Sequence, residues 1–288
     1  MIADSYLSGS ARLAGVIGWP VKHSRSPRLH GYWLRRYGLD GAYLPLEVSP
    51  DRLETAILGL RALGFQGANL TLPHKELVLP MVDEISDAAR RIGAVNTLVI
   101  GDDGRIRGEN TDGFGFMASL EAGVPAWRAL DGAAVILGAG GAARAIAVAL
   151  LDAGVPGLRL LNRTKERAER LAEILRQAAP GCLIEVASWE EREAALAGAN
   201  LLVNTTSLGM SGQPALELRL GDLPMAATVI DIVYAPLETG LLATAKASGH
   251  PVVDGLGMLL HQGRPGFAAW FGVDPKVTDE LRSAVLGG

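Results

Sequence analysis

The sequence contains few of the residues that mark disulfide-rich, disordered or nucleic-acid-binding proteins. Only one of its 288 residues, Cys182, is a cysteine, which excludes an internal disulfide and favours a reducing compartment. Charged residues make up 20% of the chain and hydrophobic residues 49%, a balance that excludes a disordered protein. The formal net charge is −4 and no Lys/Arg stripe is present, so we expect no nucleic-acid partner.

Long hydrophobic runs are also missing. Residues 1–13 include Asp4 and no apolar run of the length that a signal peptide needs. The most apolar stretch, 133–151, is interrupted by three glycines and by Arg144, which argues against a membrane span. The five histidines show no metal-ligand spacing. We therefore expect a cytoplasmic protein without a metal or a membrane partner.

Short strand-like runs alternate with helical stretches along most of the chain, a pattern typical of α/β folds with parallel sheets. Length alone favours two domains. A turn at Asp102-Asp103-Gly104 predicts a hairpin that breaks the parallel pattern. The predicted strands are 13–17, 42–46, 67–70, 97–100, 105–108, 133–137, 158–161, 201–204 and 228–232. The predicted helices are 50–63, 165–177, one that begins at Ser26-Pro27 with Ser26 as its N-cap, and most of the tail 258–288.

A glycine-rich turn follows the predicted strand 133–137 and precedes an apolar helix. It consists of Gly138, Ala139, Gly140, Gly141 and Ala142. Such a turn lets the backbone approach a pyrophosphate, which then accepts hydrogen bonds from the free N–H groups of the helix start. The alternative is a tight turn that holds no ligand.

The next strand ends at a cationic segment where NAD sites carry Asp or Glu. Asn162, Arg163 and Thr164 occupy this place, and Arg167 follows one helical turn later. Two guanidinium groups and a hydroxyl suit the 2′-phosphate of NADP, which a carboxylate would repel. We predict NADP over NAD. The alternative is a solvated helix start with Thr164 as its N-cap.

Polar clusters follow the strands or turns of the first half of the chain, at 23–27, 69–75 and 94–97, and a fourth lies at 110–113. Ligands of α/β folds bind in such places. Hydroxyl and amide side chains dominate the clusters, which favours a small polyhydroxylated ligand.

Two residues of these clusters are candidates for acid/base chemistry. Reduction of a carbonyl by hydride leaves an oxyanion, and the ammonium of Lys75 beside the carboxylate of Asp112 would protonate it. The alternatives are a surface role for Lys75 and an N-cap role for Asp112. Ser24 and Ser26 would then merely cap the helix that follows them, and Asn96 would brace a turn.

In combination these motifs resemble the shikimate dehydrogenase family along nearly the whole chain. The motifs that carry the resemblance are residues 18–27, 69–76, 93–97, 110–113, 138–143, 162–164, 204–210 and 254–259.

The resemblance implies an NADP-dependent oxidoreductase that reversibly reduces 3-dehydroshikimate to shikimate, a step of aromatic amino acid biosynthesis. Lys75 and Asp112 would form its catalytic pair. The implied substrate contacts are Ser24 and Ser26 to the carboxylate, Thr71, Asn96, Asp112 and Gln262 to the hydroxyls, Lys75, and Tyr234 at the edge between nicotinamide and substrate. Further implied cofactor contacts are Thr205, Thr206, Ser207, Met210, Ile232 and Gly255.

The same resemblance implies a discontinuous substrate domain, 1–111 plus 256–288, with a mixed or parallel sheet, around a Rossmann-type NADP domain, 112–255. The protein would be a monomer or a homodimer. Two positions depart from the family: Gly31, and the segment 263–266, where glycine and proline replace an alanine-rich helix and leave the placement of Gln262 open. The alternative functions are a quinate or aminoshikimate dehydrogenase and a non-catalytic NADP-binding sensor.

Overall fold

The computed structural model of the chain describes residues 7–287. They form an α/β structure of twelve strands and ten α-helices among the described residues. The strands are β1 Arg12–Gly18, β2 Gly41–Glu47, β3 Gly67–Leu70, β4 Glu84–Ile85, β5 Thr97–Ile100, β6 Ile106–Glu109, β7 Ala133–Leu137, β8 Gly157–Leu161, β9 Leu183–Ala187, β10 Ala199–Asn204, β11 Thr228–Asp231 and β12 Val252–Val253. The helices are α1 Ser26–Tyr37, α2 Leu53–Ala62, α3 His74–Leu77, α4 Asp87–Ile92, α5 Asp112–Gly123, α6 Gly141–Asp152, α7 Lys165–Ala178, α8 Gly240–Ala247, α9 Gly255–Phe271 and α10 Asp279–Leu286.

The chain divides into two compact units. Unit 1 comprises Met1–Thr111 and Gln262–Gly288, and unit 2 comprises Asp112–His261. The predicted domain boundary at 255/256 coincides with the start of α9, whereas the division between the units falls inside that helix. The assignment of substrate and cofactor to separate domains stays a prediction.

Unit 1 contains a six-stranded mixed sheet in the order β2-β1-β3-β5-β6-β4. β1 pairs in parallel with β2 and β3, while β5 is antiparallel to both β3 and β6. The hairpin predicted at Asp102-Asp103-Gly104 is therefore confirmed, with Gly104 at φ +78°. Leu53, Ile57 and Leu60 of α2 are buried in the core of this unit.

Helix α9 supplies a second part of the core of unit 1. Trp270 is fully buried, and its Nε1 donates to the carbonyl oxygen of Leu98 in β5 at 2.9 Å. Gly67 makes this contact possible, because a Cβ at Gly67 would lie 2.0 Å from the same carbonyl oxygen. The indole thus anchors the carboxyl-terminal half of α9 to the middle of the sheet.

Unit 2 contains a six-stranded, all-parallel sheet in the order β12-β11-β10-β7-β8-β9. Counted from β7, this is the 3-2-1-4-5-6 order of doubly wound dinucleotide-binding folds, read from one edge to the other. One face of α7 is buried, with Ala168, Leu171, Ala172 and Leu175 each at most 2% exposed. The predicted fold class of two α/β units, one with a Rossmann-type sheet, is confirmed.

Several local predictions need correction. The predicted helix 50–63 is a 3₁₀ turn, Pro50–Arg52, followed by α2. Ser26 is the first residue of α1 and not its N-cap; Arg25 occupies the cap position without a side-chain capping bond. Strands β4, β9 and β12 were not predicted, because β4 and β12 have only two residues each and only one of the five residues of β9 is buried.

Among residues 7–287, no helix is both long and apolar enough to cross a membrane.

Candidate active site

The winding of the sheet in unit 2 defines where a ligand would bind. Among the strands of this sheet, β7 comes first in the sequence and lies in the middle. The next strands, β8 and β9, extend the sheet to one side of β7, and β10 then pairs with the other side of β7. Ligands of such sheets bind beside the carboxyl ends of the strands where the winding reverses. The residues that follow β7 and β10, beginning with Gly138 and Thr205, therefore belong to a candidate ligand site.

The glycine-rich turn after β7 has the geometry of a pyrophosphate cradle. Gly138 adopts φ +113°, and a Cβ there would lie 2.4 Å from Oγ1 of Thr205, so only glycine fits. Gly140 precedes α6 without a side-chain capping bond. A Cβ at Gly140 or Gly141 would meet no atom of the described residues within 4 Å, which leaves open space above the N–H groups of the helix start. This arrangement fits an anionic group of a dinucleotide.

The cationic segment lies between the end of β8 and the start of α7. Asn162 turns the chain by donating from Nδ2 to the carbonyl oxygen of Thr164 at 2.8 Å. Thr164 occupies the N-cap position of α7 but makes no side-chain capping bond, so the capping alternative is not observed. Arg163, Thr164 and Arg167 are exposed, as contacts to a 2′-phosphate would require.

Two buried polar residues organise the loops after β10 and β11. Asn204 ends β10, Asp231 ends β11, and Asn204 Nδ2 donates to Asp231 Oδ1 at 3.0 Å. The hydroxyl of Thr206, a predicted cofactor contact, donates to Asn204 Oδ1 at 2.7 Å. Burial raises the pKa of Asp231. No role was predicted for Asp231. The sequence feature that could have indicated one is an acidic residue at the end of an otherwise apolar strand.

The remaining predicted cofactor residues of unit 2 differ in exposure. Ser207 and Met210 are exposed, while Thr205 and Ile232 are half-buried. Gly255 begins α9, where a Cβ would lie 2.2 Å from the carbonyl oxygen of Ile232. Glycine at position 255 is therefore required by close backbone packing, whether or not a ligand binds nearby.

In unit 1 the strand register brings the predicted polar clusters to one edge of the sheet. β3 runs parallel to β1, so the segments after Gly18 and after Leu70 leave the sheet on the same side. β5 and β6 are antiparallel, and Thr97 pairs with both Asn69 and Glu109. The residue before β5 and the residues after β6 consequently lie at that edge too. Ser24, Ser26, Thr71, Lys75, Asn96 and Thr111 all come from these segments.

Asn96 is the centre of a buried hydrogen-bond network. Its Oδ1 accepts from the backbone N of Thr111 at 2.9 Å, and its Nδ2 donates to Oε1 of Gln262 at 3.1 Å. Thr111 Oγ1 in turn donates to the backbone carbonyl of Gln262 at 2.9 Å. The structure thus brings together two predicted substrate residues, Asn96 and Gln262, and fixes their side chains.

Residues 263–266, where this sequence differs from the family by its glycines and proline, do not interrupt α9. The helix continues through Pro265 to Phe271. A Cβ at Gly263 would lie 2.8 Å from Cδ2 of Leu29, and one at Gly266 would lie 2.8 Å from the indole of Trp270. The two glycines therefore permit close packing within unit 1, and the helix still presents Gln262 to Asn96.

A second network in unit 1 was not predicted. Tyr43 Oη donates to Asn69 Oδ1 at 2.6 Å. Asn69 Nδ2 donates to Thr97 Oγ1 at 3.0 Å, and Thr97 Oγ1 donates to Asn96 Oδ1 at 2.9 Å. Tyr43 and Asn96 are thereby joined through buried groups. The sequence feature that could have indicated this network is Asn69, a polar residue in the short strand β3, whose four residues are all buried.

His30 lies behind this network in an aromatic cluster. Its ring stacks on Tyr43 with centroids 3.9 Å apart and an interplanar angle of 7°. Trp33 packs edge-on against it at 5.5 Å. Within the described part of the chain, neither ring nitrogen of the fully buried His30 has a hydrogen-bond partner, and burial lowers its pKa to about 3. The ring is neutral at physiological pH.

Lys75 lies in α3, the short helix after β3, and is half-buried. Its backbone carbonyl accepts from Val95 N at 2.7 Å, which joins the segment after β3 to the segment before β5. The preceding His74 is buried, with Nε2 2.8 Å from the carbonyl oxygen of Val48, and desolvation lowers the pKa of His74. These contacts fix the backbone of α3 at His74 and Lys75.

The other predicted catalytic and substrate-binding residues are distributed over both units. Asp112 is the first residue of α5 and is 5% exposed, and Tyr234, after β11, is half-buried; both belong to unit 2. Ser24 and Thr71 are half-buried in unit 1. Ser24 Oγ accepts from Ser26 N at 3.3 Å, a local bond at the start of α1. The pairing of Lys75 with Asp112 stays a prediction.

The fold and these sites define a class of protein. A doubly wound parallel sheet with an open glycine turn at its switch point binds a dinucleotide. A second α/β unit carries amide, hydroxyl and lysine side chains at one edge of its sheet. This combination is typical of dinucleotide-dependent oxidoreductases built from two α/β units.

Comparison with known proteins identifies the family to which the chain belongs. A family model described as the shikimate dehydrogenase substrate binding domain matches residues 16–98. A second, described as shikimate / quinate 5-dehydrogenase, matches residues 126–211. Shikimate dehydrogenase (NADP(+)) of Rhodospirillum rubrum is 61% identical over 281 residues, which cover 98% of this chain and 99% of that protein. The chain belongs to the shikimate dehydrogenase family.

Solved structures show the same fold over nearly the full length. Shikimate 5-dehydrogenase of Thermus thermophilus, in complex with NADP(H) and shikimate, has a TM-score of 0.84 at 38% identity and covers 96% of this chain and 99% of its own. Quinate dehydrogenase of Corynebacterium glutamicum, in complex with NAD, has a TM-score of 0.89 at 34% identity and covers 96% and 99%. The fold alone therefore does not distinguish shikimate from quinate as substrate.

Proposed function

We propose that this protein catalyses the reversible, NADP-dependent reduction of 3-dehydroshikimate to shikimate in aromatic amino acid biosynthesis. The observation that carries the proposal is the 61% identity to a shikimate dehydrogenase (NADP(+)) over 98% of the chain. The polar edge of the sheet in unit 1 supports a small polyhydroxylated substrate, since its groups are amides and hydroxyls.

The residues of unit 2 fit NADP. The open N–H groups around Gly140 and Gly141 would hold the pyrophosphate, and the exposed Arg163, Thr164 and Arg167 would hold the 2′-phosphate. Bound NADPH supplies the hydride for the reduction. No carboxylate occupies the segment 162–164 at the end of β8, which favours NADP over NAD.

For the substrate we propose the contacts that the family implies. Ser24 and Ser26 bind the carboxylate, and Tyr234 lies at the nicotinamide edge. Thr71, Asn96, Asp112 and Gln262 bind hydroxyl groups. The hydrogen bonds that already hold Asn96 and Gln262 support this, because side chains fixed before binding lose less conformational entropy when a ligand arrives.

For the proton we propose Lys75 as donor. Its ammonium gives a proton to the carbonyl oxygen, which becomes the new hydroxyl, and the neutral amine regains a proton from solvent. Asp112 orients the ammonium. The position of Lys75 supports this role, since its side chain is half-buried at the polar edge of the sheet in unit 1.

One assay tests the substrate and the cofactor together. Purified protein is mixed with shikimate or quinate and with NADP⁺ or NAD⁺, and the absorbance of the reduced nicotinamide is followed. We expect the highest kcat/KM with shikimate and NADP⁺. Faster turnover of quinate, or preference for NAD⁺, would contradict the proposal. Absence of turnover with every pair would favour a non-catalytic NADP sensor.

The oligomeric state and the cellular location of the protein are also proposed. We propose a monomer or a homodimer that works in the cytoplasm, where the single Cys182 would stay reduced. Burial raises the pKa of this thiol, which keeps it protonated and unreactive. Light scattering on purified protein would give the mass in solution, and a mass above that of two chains would contradict the expected assembly.

A further inference from the structure

Asn204 and Asp231 form a buried polar pair at the carboxyl ends of neighbouring parallel strands. Both side chains are 0% exposed, and Asn204 Nδ2 donates to Asp231 Oδ1 at 3.0 Å. Burying a carboxylate in an otherwise apolar sheet is costly unless hydrogen bonds compensate. The structure supplies several such bonds, and they all lead into the loops that follow the two strands.

Asn204 holds the loop after β10. Its Oδ1 accepts from the backbone N of Thr206 at 3.0 Å and from Thr206 Oγ1 at 2.7 Å. Its Nδ2 also donates to the carbonyl oxygen of Leu208 at 3.2 Å. One side chain therefore fixes the backbone at two positions within residues 205–208.

Asp231 holds the loop after β11. Its Oδ1 accepts from the backbone N of Val233 at 3.0 Å, and its Oδ2 accepts from Thr239 Oγ1 at 2.7 Å. Thr239 Oγ1 also accepts from Leu242 N, so it caps α8. The carboxylate thus ties the turn at 232–234 to the start of α8, and Asn204 links both loops.

The strand order indicates which part of the dinucleotide meets these loops. The cationic segment 162–167 follows β8, on one side of β7, and suits the 2′-phosphate of the adenosine half. β10 and β11 lie on the other side of β7. Because a dinucleotide lies across the switch point, the loops after β10 and β11 face its nicotinamide half.

We propose that Asn204, Asp231 and Thr239 are positioning residues that hold the loops 205–210 and 232–234 in the shape that binds the nicotinamide half of NADP, without affecting the adenosine half. The proposal rests on the proposed function, because it assumes that NADP is the cofactor. Burial raises the pKa of Asp231, and its hydrogen bonds with Thr239, Val233 and Asn204 oppose that rise by stabilising the carboxylate.

The test compares two ligands that share only the adenosine half. NADP⁺ has both halves, whereas adenosine 2′,5′-bisphosphate has the 2′-phosphate but no nicotinamide. Titration calorimetry gives the Kd of each for wild type and for Thr239→Val, which keeps the shape of the side chain and removes its hydroxyl. We expect the Kd of NADP⁺ to rise about 10-fold, the typical effect of losing a hydrogen bond to a charged group, and the Kd of the bisphosphate to change less than about 2-fold.

Three further variants sharpen the comparison. Thr239→Ser retains the hydroxyl and should restore wild-type affinity for NADP⁺. Asp231→Asn, nearly the same shape without the charge, should repeat the selective loss and serves if Thr239→Val does not fold. Thr228→Val makes the same change at the buried opposite end of β11 and should leave both Kd values unchanged.

The outcomes separate this inference from the proposed function. If wild type binds neither ligand, the cofactor assignment fails and this inference with it. If wild type binds both ligands but Thr239→Val and Asp231→Asn weaken both equally, or weaken neither, the pair is only structural and this inference alone is overturned. Selective loss of NADP⁺ affinity with rescue by Thr239→Ser supports it.

Discussion

His30 is buried as a neutral ring, and the stability of the protein should therefore fall in mild acid. Desolvation lowers its pKa from 6.5 to about 3, and neither ring nitrogen has a hydrogen-bond partner among residues 7–287 that would favour the charged form. Below pH 6.5 the unfolded chain binds a proton at this position that the folded chain does not bind. The free energy of unfolding consequently decreases as the pH falls from 6.5 towards 3.

The size of this effect follows from the two pKa values. Each pH unit between them changes the free energy of unfolding by about 1.4 kcal/mol. Between pH 7.5 and pH 4.5 the contribution of His30 amounts to about 2.7 kcal/mol, most of it below pH 6.5. This is a large fraction of the stability of an ordinary domain.

Urea denaturation at several pH values, followed by circular dichroism and tryptophan fluorescence, measures the effect. The variant His30→Leu removes the titrating group, so its stability should decrease by about 2.7 kcal/mol less than that of wild type between pH 7.5 and 4.5. His23→Leu, at an exposed position, is the control and should follow wild type. If stability fell with pH equally in wild type and His30→Leu, buried His30 would not be the cause of the loss in acid.

Three other predictions test separate parts of the structure. Replacing Arg163 and Arg167 with alanine should raise the Kd of NADP⁺ about 10- to 100-fold and leave that of NAD⁺ within about 2-fold, by calorimetry; unchanged NADP⁺ affinity would contradict the 2′-phosphate contacts. Gly255→Ala should lower the free energy of unfolding, measured by urea denaturation, by more than about 3 kcal/mol, because the new Cβ would lie 2.2 Å from a backbone carbonyl oxygen. Gly221→Ala is the control and should leave that free energy nearly unchanged, because a Cβ at position 221 would meet no atom of the described residues within 4 Å. Tyr43→Phe should raise the KM for shikimate about 3- to 10-fold with little change in kcat, and an unchanged KM would show that its hydroxyl does not orient the substrate residues.

Most strands could be predicted from the sequence because buried parallel strands are short apolar runs between glycines and polar turns. Strand β7 and the turn at Gly138 show this, since the run, the glycine pattern and the helix follow in order. The two-residue strands β4 and β12 could not be predicted, because so short a segment has no periodicity. Their pairing depends on neighbours that are distant in the sequence.

The two polar networks illustrate what the sequence does not contain. Tyr43, Asn69 and Asn96 lie far apart along the chain, and their contact depends on the register of β2, β3 and β5. A polar residue in an apolar strand indicates that a partner exists but does not identify it. The same holds for Asp231, whose partners are Asn204 and Thr239.

Helix α9 shows the opposite case, in which the sequence suggested more disruption than occurs. Proline and glycine usually weaken a helix. Here Gly263 and Gly266 lie where any side chain would meet Leu29 or Trp270, so tertiary packing outweighs local propensity. Gln262 consequently keeps its contact with Asn96.

We propose that Lys75 supplies the proton when 3-dehydroshikimate is reduced with NADPH, and the kcat of the variant Lys75→Ala tests this role. General acid catalysis contributes about 10²- to 10⁴-fold in rate. We predict that kcat falls by at least about 10²-fold in this variant, with a smaller change in KM and an unaltered circular dichroism spectrum. A kcat within a few-fold of wild type would show that Lys75 is not the proton donor.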